Sequence, residues 1–211
     1  MKGIKFGDVH SYTGLNLITS KINIPPAAVK TNYVDIPGGD GSVDLTEALG
    51  EVRYKTRNAS FTLTVKPGDD FEVKKKDVSN KLNGLKCKIW IDKDPGFYWI
   101  GRCEVNNYAS NKNLHTIVVN AVLEPYKYKN DVTTVTIGGG DSSTTTLWNA
   151  RKSVVPTITT TAETTLGFKG NTYTLNAGTH KILDLKLVEG ANDVTINTAG
   201  MVTFTYQEGD L

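Results

Sequence analysis

Little in this 211-residue chain equips it for chemistry. It has two cysteines, three histidines and two methionines. Two cysteines make neither a disulfide framework nor, by themselves, a zinc site. His10, His115 and His180 are scattered, with no second His or Cys at metal-ligand spacing. HExxH, CxxC and GxSxG do not occur, so zinc-hydrolase, redox and serine-hydrolase sites lack their usual signatures. Long apolar runs are also missing. Nowhere do ~18 apolar residues follow one another, which excludes a membrane-spanning helix. The basic start Met1-Lys2 has no apolar run of signal-peptide length behind it. Synthesis and assembly in the cytosol, without membrane insertion, are therefore expected. Nor does one sign of charge dominate: the formal net charge is +2 at pH 7, too small for polyanion binding as the main role.

What is present is a folded, β-rich composition. Hydrophobic residues make up 38% and charged residues 22%, values of a globular protein rather than a disordered one. Residues 131–211 hold five Lys/Arg against eight Asp/Glu, net −3, which leaves +5 on residues 1–130. Short alternating runs recur between Gly, Pro, Asn and Asp. Tyr33–Ile36, Ser60–Val65, Lys88–Ile91, Tyr98–Ile100 and Leu114–Leu123 read as strands. Further on, Val132–Ile137, Val155–Thr160, Asn171–Leu175, Gly178–Leu187, Asp193–Ile196 and Met201–Tyr206 do the same. Such half-apolar strands need a second sheet to cover them, so β-sandwiches are expected. One segment breaks the period. Val78, Leu82 and Leu85 fall at i, i+4 and i+7, the stripe of a short amphipathic helix near residues 74–84, with Gly84 as a stop. Its lysines, Lys74, Lys75, Lys76 and Lys81, read as a solvated face. The texture turns Thr-rich after Tyr126–Asn130, and Gly138–Gly140 reads as a hinge or loop. The fold class expected is mainly β: two consecutive β-sandwich domains, residues 1–130 with the helix and residues 131–211.

Several features invite a functional reading. Pro37-Gly-Gly-Asp-Gly41 resembles a phosphate loop in composition, but no Lys-Ser/Thr follows it and no helix opens after it. It reads instead as the turn of a hairpin that begins at Tyr33 and returns through Ser42–Leu45. Asp92 and Asp94 are near in sequence, yet the oxygen ligands a calcium loop needs do not follow; Asp94-Pro-Gly96 is turn chemistry. Asn58-Ala-Ser60 fits the glycosylation triplet, a chance match without a secretory signal. Trp90, Phe97, Tyr98, Trp99 and Tyr108 cluster around one hairpin as exposed aromatics, with Trp90 and Tyr98 on one side and Trp99 on the other. They suit the core or a neighbouring subunit, and alternatively a sugar. A hairpin centred on Pro95 sets Cys87 opposite Cys103, either as a cross-strand disulfide or as two reduced thiols.

The order of these pieces resembles the distal tail protein (Dit) family of siphophages that infect Gram-positive bacteria. The residues that carry the likeness are Ile4–Gly7 followed by Ser11–Leu15, Ile24-Pro-Pro26, and the hairpin Val34–Thr46 with its Pro-Gly-x-Asp-Gly turn. Tyr54, Phe61–Leu63, Leu82-Asn-Gly84 and Phe97–Arg102 follow in order. The closing runs Gly190–Ile196 and Val202–Gly209 are similar to the small galectin-like domain in which such proteins often end. The galectin sugar-binding pattern itself is not recognisable: His180 is followed by Lys181-Ile182 rather than Asn and Arg. The resemblance implies a structural, non-enzymatic virion protein of the tail tip, with no cofactor and no metal. It implies a homo-hexameric ring joining the tail tube to the tail-tip or baseplate and host-adhesion apparatus. Its partners would be the tail tube protein, a tail-associated protein and a receptor-binding protein. DNA and the tape-measure protein would pass through its channel without sequence-specific binding. The inter-subunit candidate is the hairpin, through Val34, Ile36, Pro37, Gly38, Gly39, Asp40, Gly41, Val43 and Leu45. The alternative is a carbohydrate-binding module that attaches a phage or an enzyme to the cell wall.

Overall fold

The computed structural model describes residues 3–48, 50–111, 114–138 and 140–211. They form a mainly β chain that divides into two compact units, Met1–Lys127 and Tyr128–Leu211. The first runs β1 (Ile4–Phe6), β2 (Val9–His10), β3 (Leu17–Asn23), β4 (Tyr33–Asp35), β5 (Ser42–Asp44), β6 (Arg57–Val65), α1 (Phe71–Leu82), β7 (Lys86–Ile91), β8 (Phe97–Asn111) and β9 (Leu114–Leu123). Seven of these strands pair in the order β2-β1-β7-β8-β9-β6-β3. Strand β6 shows why. Ala59, Phe61, Leu63 and Val65 point inward and are buried, while the residues between them face out, the period of a half-covered strand. Ser11, just past β2, meets the far edge of the sheet: Leu17 N–H donates to Ser11 O at 2.8 Å, and the Ser11 and Thr19 hydroxyls lie 3.0 Å apart. The sheet thus curls around one core of Ile4, Phe6, Leu17, Phe61, Ile117 and Leu123, among others.

Helix α1 adds Val78 and Leu82 to that core. It opens at Phe71, earlier than the apolar stripe alone indicates, because Asp70 caps it by accepting from the Glu72 and Val73 N–H groups at 2.8 and 3.2 Å. It stops before Gly84, whose φ of +81° a side chain would strain; Leu85 packs on the core from beyond the helix end. The lysines are more engaged than a solvated face requires: Lys74 donates to Leu15 O at 2.9 Å, and Lys81 lies 2.8 Å from Asp77.

Two expectations about the β7–β8 hairpin need correction. Its turn centres on Asp94 rather than Pro95, so Cys87 pairs with Gly101 and not with Cys103. The thiols are diagonal neighbours on the same face, both free, and close enough to hydrogen-bond. That contact lowers the Cys87 pKa, whereas the contact and burial raise that of Cys103. The aromatics are also less exposed than their composition suggests. Tyr98 and Trp99 are buried, Trp90 and Phe97 half-buried, and Tyr108 is exposed. The side assignment agrees with the structure: Trp90 lies opposite Tyr98, their ring centroids 5.8 Å apart, while Trp99 joins the core. The buried Arg57 guanidinium sits 4.8 Å over the Trp99 ring and donates to Pro25 O and Pro125 O at 3.3 and 2.9 Å.

The second unit continues with β10 (Lys127–Lys129), β11 (Thr133–Ile137), β12 (Gly140–Asn149), β13 (Thr157–Thr160), β14 (Thr164–Phe168), β15 (Asn171–Leu175), β16 (Gly178–His180), β17 (Gly190–Thr198), β18 (Val202–Tyr206) and β19 (Gly209–Asp210). Sheets β11-β18-β13-β16 and β12-β17-β14-β15 enclose Leu147, Ile158, Leu166, Val194, Ile196 and Phe204, which makes a sandwich. Strands β12 and β14 were not indicated by the sequence pattern, and two further segments differ from expectation. The Gly178–Leu187 run is a strand only to His180; beyond it Leu185 N–H bonds back to Ile182 O at 3.1 Å, and only Leu187 pairs again, with Val154. The Gly138–Gly140 loop is shorter than read, since β12 begins at Gly140; Gly139 lies outside the described residues.

Near the C-terminus the buried Glu208 carboxylate lies 2.6 Å from Lys129 Nζ and accepts from the Thr133 hydroxyl at 2.6 Å. Burial opposes its charge, but these bonds outweigh it and hold its pKa below the ordinary carboxylate value. A depressed carboxylate stabilises the fold above its unfolded pKa, and that contribution is lost as pH falls through the folded pKa. Thermal melting of this unit, followed from pH 6 down through pH 3, should therefore lose stability in the acid range, and Glu208→Gln should flatten that part of the profile. An identical acid slope in the variant would contradict the assignment.

Candidate functional site

Between β3 and β6 the chain leaves the sheet and returns to the same edge. Asn23 pairs with Ser60, so residues 24–56 form an excursion. Its base is laddered: Val29 bridges Tyr54, Lys30 N–H donates to Arg53 O at 2.8 Å, and Lys55 N–H donates to Ala28 O at 2.7 Å. Its tip is the two-stranded sheet β4–β5, with Tyr33 opposite Asp44, Val34 opposite Val43 and Asp35 opposite Ser42. The turn needs its glycines: Gly38 and Gly41 have φ of +79° and +76°. Local bonds fix the ribbon. Ser42 Oγ donates to Asp35 at 2.5 Å, Leu45 N–H to Asn32 O at 2.7 Å, and Thr46 N–H to the Asp44 carboxylate at 2.9 Å. The Thr46 bonds, side-chain first, lower the Asp44 pKa.

Strand alternation sorts this ribbon into two faces. Val34, Ile36, Val43 and Leu45 share one, and Tyr33, Asp35, Ser42 and Asp44 share the other. The apolar face covers no core of this chain: its four residues are 39–54% exposed. All nine candidate residues, Val34, Ile36, Pro37, Gly38, Gly39, Asp40, Gly41, Val43 and Leu45, lie together on this exposed hairpin. Sequence reasoning did not assign Val29 and the exposed Tyr33, which lie together with Asp44 and Thr46 around a hollow away from the apolar face.

A second apolar surface of the first unit is a groove of about 560 Å³ on β7–β8–β9. Ile100, Gly101 and Val122 line it, edged by Lys86, Arg102 and Glu124. Gly101 sits on the buried side of β8, where a Cβ would stand 2.6 Å from Leu123 Cδ2 and 2.8 Å from Val122 O, so the glycine lets β8 approach β9 closely beneath the groove.

The remaining candidates form no reactive constellation. His10 Nε2 lies 3.3 Å from Asp92, which also accepts the Gly3 N–H at 2.6 Å; the other His10 nitrogen accepts from Tyr12 and Thr13. Both nitrogens are thus committed to local structure. His115 stacks on Phe71 at 4.8 Å, and His180 meets Asn176 O at 2.8 Å. Asp94 pairs with Lys127 at 3.1 Å. Among the described residues no three His, Cys, Asp or Glu side chains are placed to hold a metal, and no helix is long and apolar enough to cross a membrane.

A mainly β chain of two units, the first bearing a projecting amphipathic ribbon, is what the fold defines. No protein-family model and no curated protein sequence matches the chain. Among solved structures it is similar to the crystal structure of the Dit protein of phage SPP1, described as a paradigm of the hub adsorption apparatus in phages infecting Gram-positive bacteria. The likeness covers 100% of both chains at 14% identity and a TM-score of 0.73, so the two share a fold. A de novo designed double-stranded β-helix overlaps 37% of this chain at 15% identity and a TM-score of 0.26, too low for a common fold.

Proposed function

We propose that this protein is a structural, non-enzymatic subunit of a bacteriophage tail tip, a distal tail protein that assembles as a hexameric ring. The ring joins the tail tube to the tail-tip or baseplate proteins and, through them, to the receptor-binding apparatus; DNA and the tape-measure protein pass through it. The first unit builds the ring, and the second is galectin-like. One observation carries this reading: an amphipathic ribbon whose apolar face is left open by its own chain. A contiguous exposed apolar surface marks a contact site, and the shared fold with a phage hub protein gives that contact its setting. The acceptor on the next copy is the Ile100–Val122 groove. Ribbon and groove are different surfaces, so the contact is heterologous, the kind that builds a ring where its rotation closes.

Native mass spectrometry of the full chain tests the reading. Six copies are the expected mass, from the purified chain or after addition of tail-tube protein. A particle that stays monomeric in both conditions would overturn it.

A further inference from the structure

The first unit holds the only two thiols of the chain, and it holds them together. Cys87 stands on β7 and Cys103 on β8, both turned to the core: Cys103 is fully buried, and Cys87 is half-buried and packed against the same core. Opposite Cys87 is Gly101, which has no side chain to offer it, while Cys103 N–H donates to Leu85 O at 2.8 Å. The two cysteines are therefore offset by two residues across neighbouring strands, on one face. Their thiols meet, and the Gly7 N–H, in the turn between β1 and β2, reaches Cys87 as well.

Their surroundings divide the chemistry between them. The S–H of Cys103 donates to the Cys87 sulfur, and this bond, with that from Gly7, holds the Cys87 thiol below its ordinary pKa against the opposing effect of burial. Cys103 is moved the other way, by the same contact and by burial. Cys87 is thus the thiol that ionises first and the one that solvent reaches, the two conditions for a thiol that reacts. Cys103 is withheld from solvent and lies against the reacting sulfur, so it completes only a step that Cys87 has begun.

We propose that Cys87 and Cys103 form a reversible redox latch, open as two thiols in a reducing medium and closed in an oxidising one as a disulfide that ties β7 to β8. The oxidant is a low-molecular-weight disulfide. The Cys87 thiolate attacks one of its sulfurs, that S–S bond breaks, and the departing thiolate takes up the proton Cys87 has lost. Cys103 then gives up its proton and attacks the Cys87 sulfur of the mixed disulfide, expelling the second thiol. The protein loses two electrons and two protons, and one small disulfide becomes two thiols.

The offset of the pair sets the character of the bond. Diagonal neighbours in a sheet lie about 7–8 Å apart, at the limit that a disulfide spans. Here the thiols already meet, so closure draws the start of β7, just past the Gly84 turn, along β8. A bond under such tension is readily reduced, which makes the latch a switch rather than a permanent staple. It lies beneath the Ile100–Val122 groove, to whose wall Cys103 contributes. The proposal does not depend on the ring reading, since it concerns one copy and one unit.

The test uses the full-length, fully reduced protein, incubated with oxidised glutathione, then denatured and alkylated with iodoacetamide for intact-mass measurement. The unsubstituted chain should lose both alkylatable thiols and weigh two hydrogens less, with its Cys87 and Cys103 peptides joined in a non-reducing digest. Dithiothreitol should restore both thiols. Cys103→Ala should stop at the mixed disulfide, with one glutathione on Cys87, and Cys87→Ala should keep a single unreacted thiol. Two alkylated thiols in the unsubstituted protein after oxidation would overturn the proposal. So would glutathione retained on its Cys87, a bond between copies on a non-reducing gel, or closure no faster than in urea, which would mean that the fold does not bring the thiols together.

Discussion

Val34→Asp combined with Val43→Asp should reduce the proposed ring to single subunits without unfolding them. The two valines face each other across β4–β5 and are 45% and 42% exposed, so the carboxylates stay in water in the lone subunit and cost its fold little. In the ring the same carboxylates would be stripped of water against the apolar floor of the groove, a desolvation cost of several kcal/mol each. Against contacts repeated six times, that penalty should leave no hexamer at micromolar concentration. A groove variant, Val122→Asp, should do the same from the other side, because Val122 is 52% exposed in the lone subunit. Mixing the two variants distinguishes this geometry from any symmetric one. Each retains one good surface, so one intact junction forms per pair, and the mixture should stop at dimers. Native mass spectrometry reads all three cases. Persistence of hexamers in the Val34→Asp, Val43→Asp double variant would remove the hairpin from the interface.

Phe61→Ala should cost about 3–5 kcal/mol, the usual range for emptying a buried aromatic site. Phe61 is fully buried on the interior strand β6, between β9 and β3, edge-on to Phe6 with ring centroids 5.5 Å apart, and registered between Ile22 and Val119. Domain stabilities run to about 5–15 kcal/mol in total, so the first unit should lose a large part of its own. The second unit has a separate core built on Leu147, Leu166 and Phe204. Urea unfolding followed at unit-specific probes should show an early transition for the first unit and an unmoved one for the second. A loss under 1 kcal/mol would mean that the site collapses around the gap.

Where apolar residues alternate strictly on a buried face, strand identity was often plain in the sequence, although β14, with Thr164, Leu166 and Phe168 buried, was not read. Ser60–Val65, Leu114–Leu123 and Val202–Tyr206 alternate, and each stands in the structure as a strand with a buried face. Burial on one side forces the period of two, so the pattern and the cause coincide. Turn centres were less legible. The β7–β8 turn lies one residue earlier than Asp94-Pro-Gly96 suggests, which moves Cys87 from Cys103 to Gly101 but keeps every side chain on its face. At Ile182–Leu187, Ile182, Leu185 and Leu187 pack on the core from an irregular segment while Leu183 is exposed, and apolar spacing alone does not separate that from a strand. The candidate hairpin was readable because its turn glycines and alternating valines are local signals. The exposure of Trp148 on β12 was not: it lies in the run Thr144-Thr-Thr-Leu-Trp148, where threonines occupy both faces and blur the alternation.

The excursion that ends in β4–β5 departs and rejoins beside a strand pair that is already in register, Asn23 with Ser60. Its length is therefore nearly uncoupled from the stability of the sheet, since doubling such a detour costs only about 0.6 kcal/mol in closure entropy. Buried Arg57, clasping Pro25 O, anchors the point of departure. Evolution can lengthen, shorten or recolour this appendage while the curled sheet beneath it stays unaltered, which leaves a lineage free to vary this exposed face without renegotiating its interior.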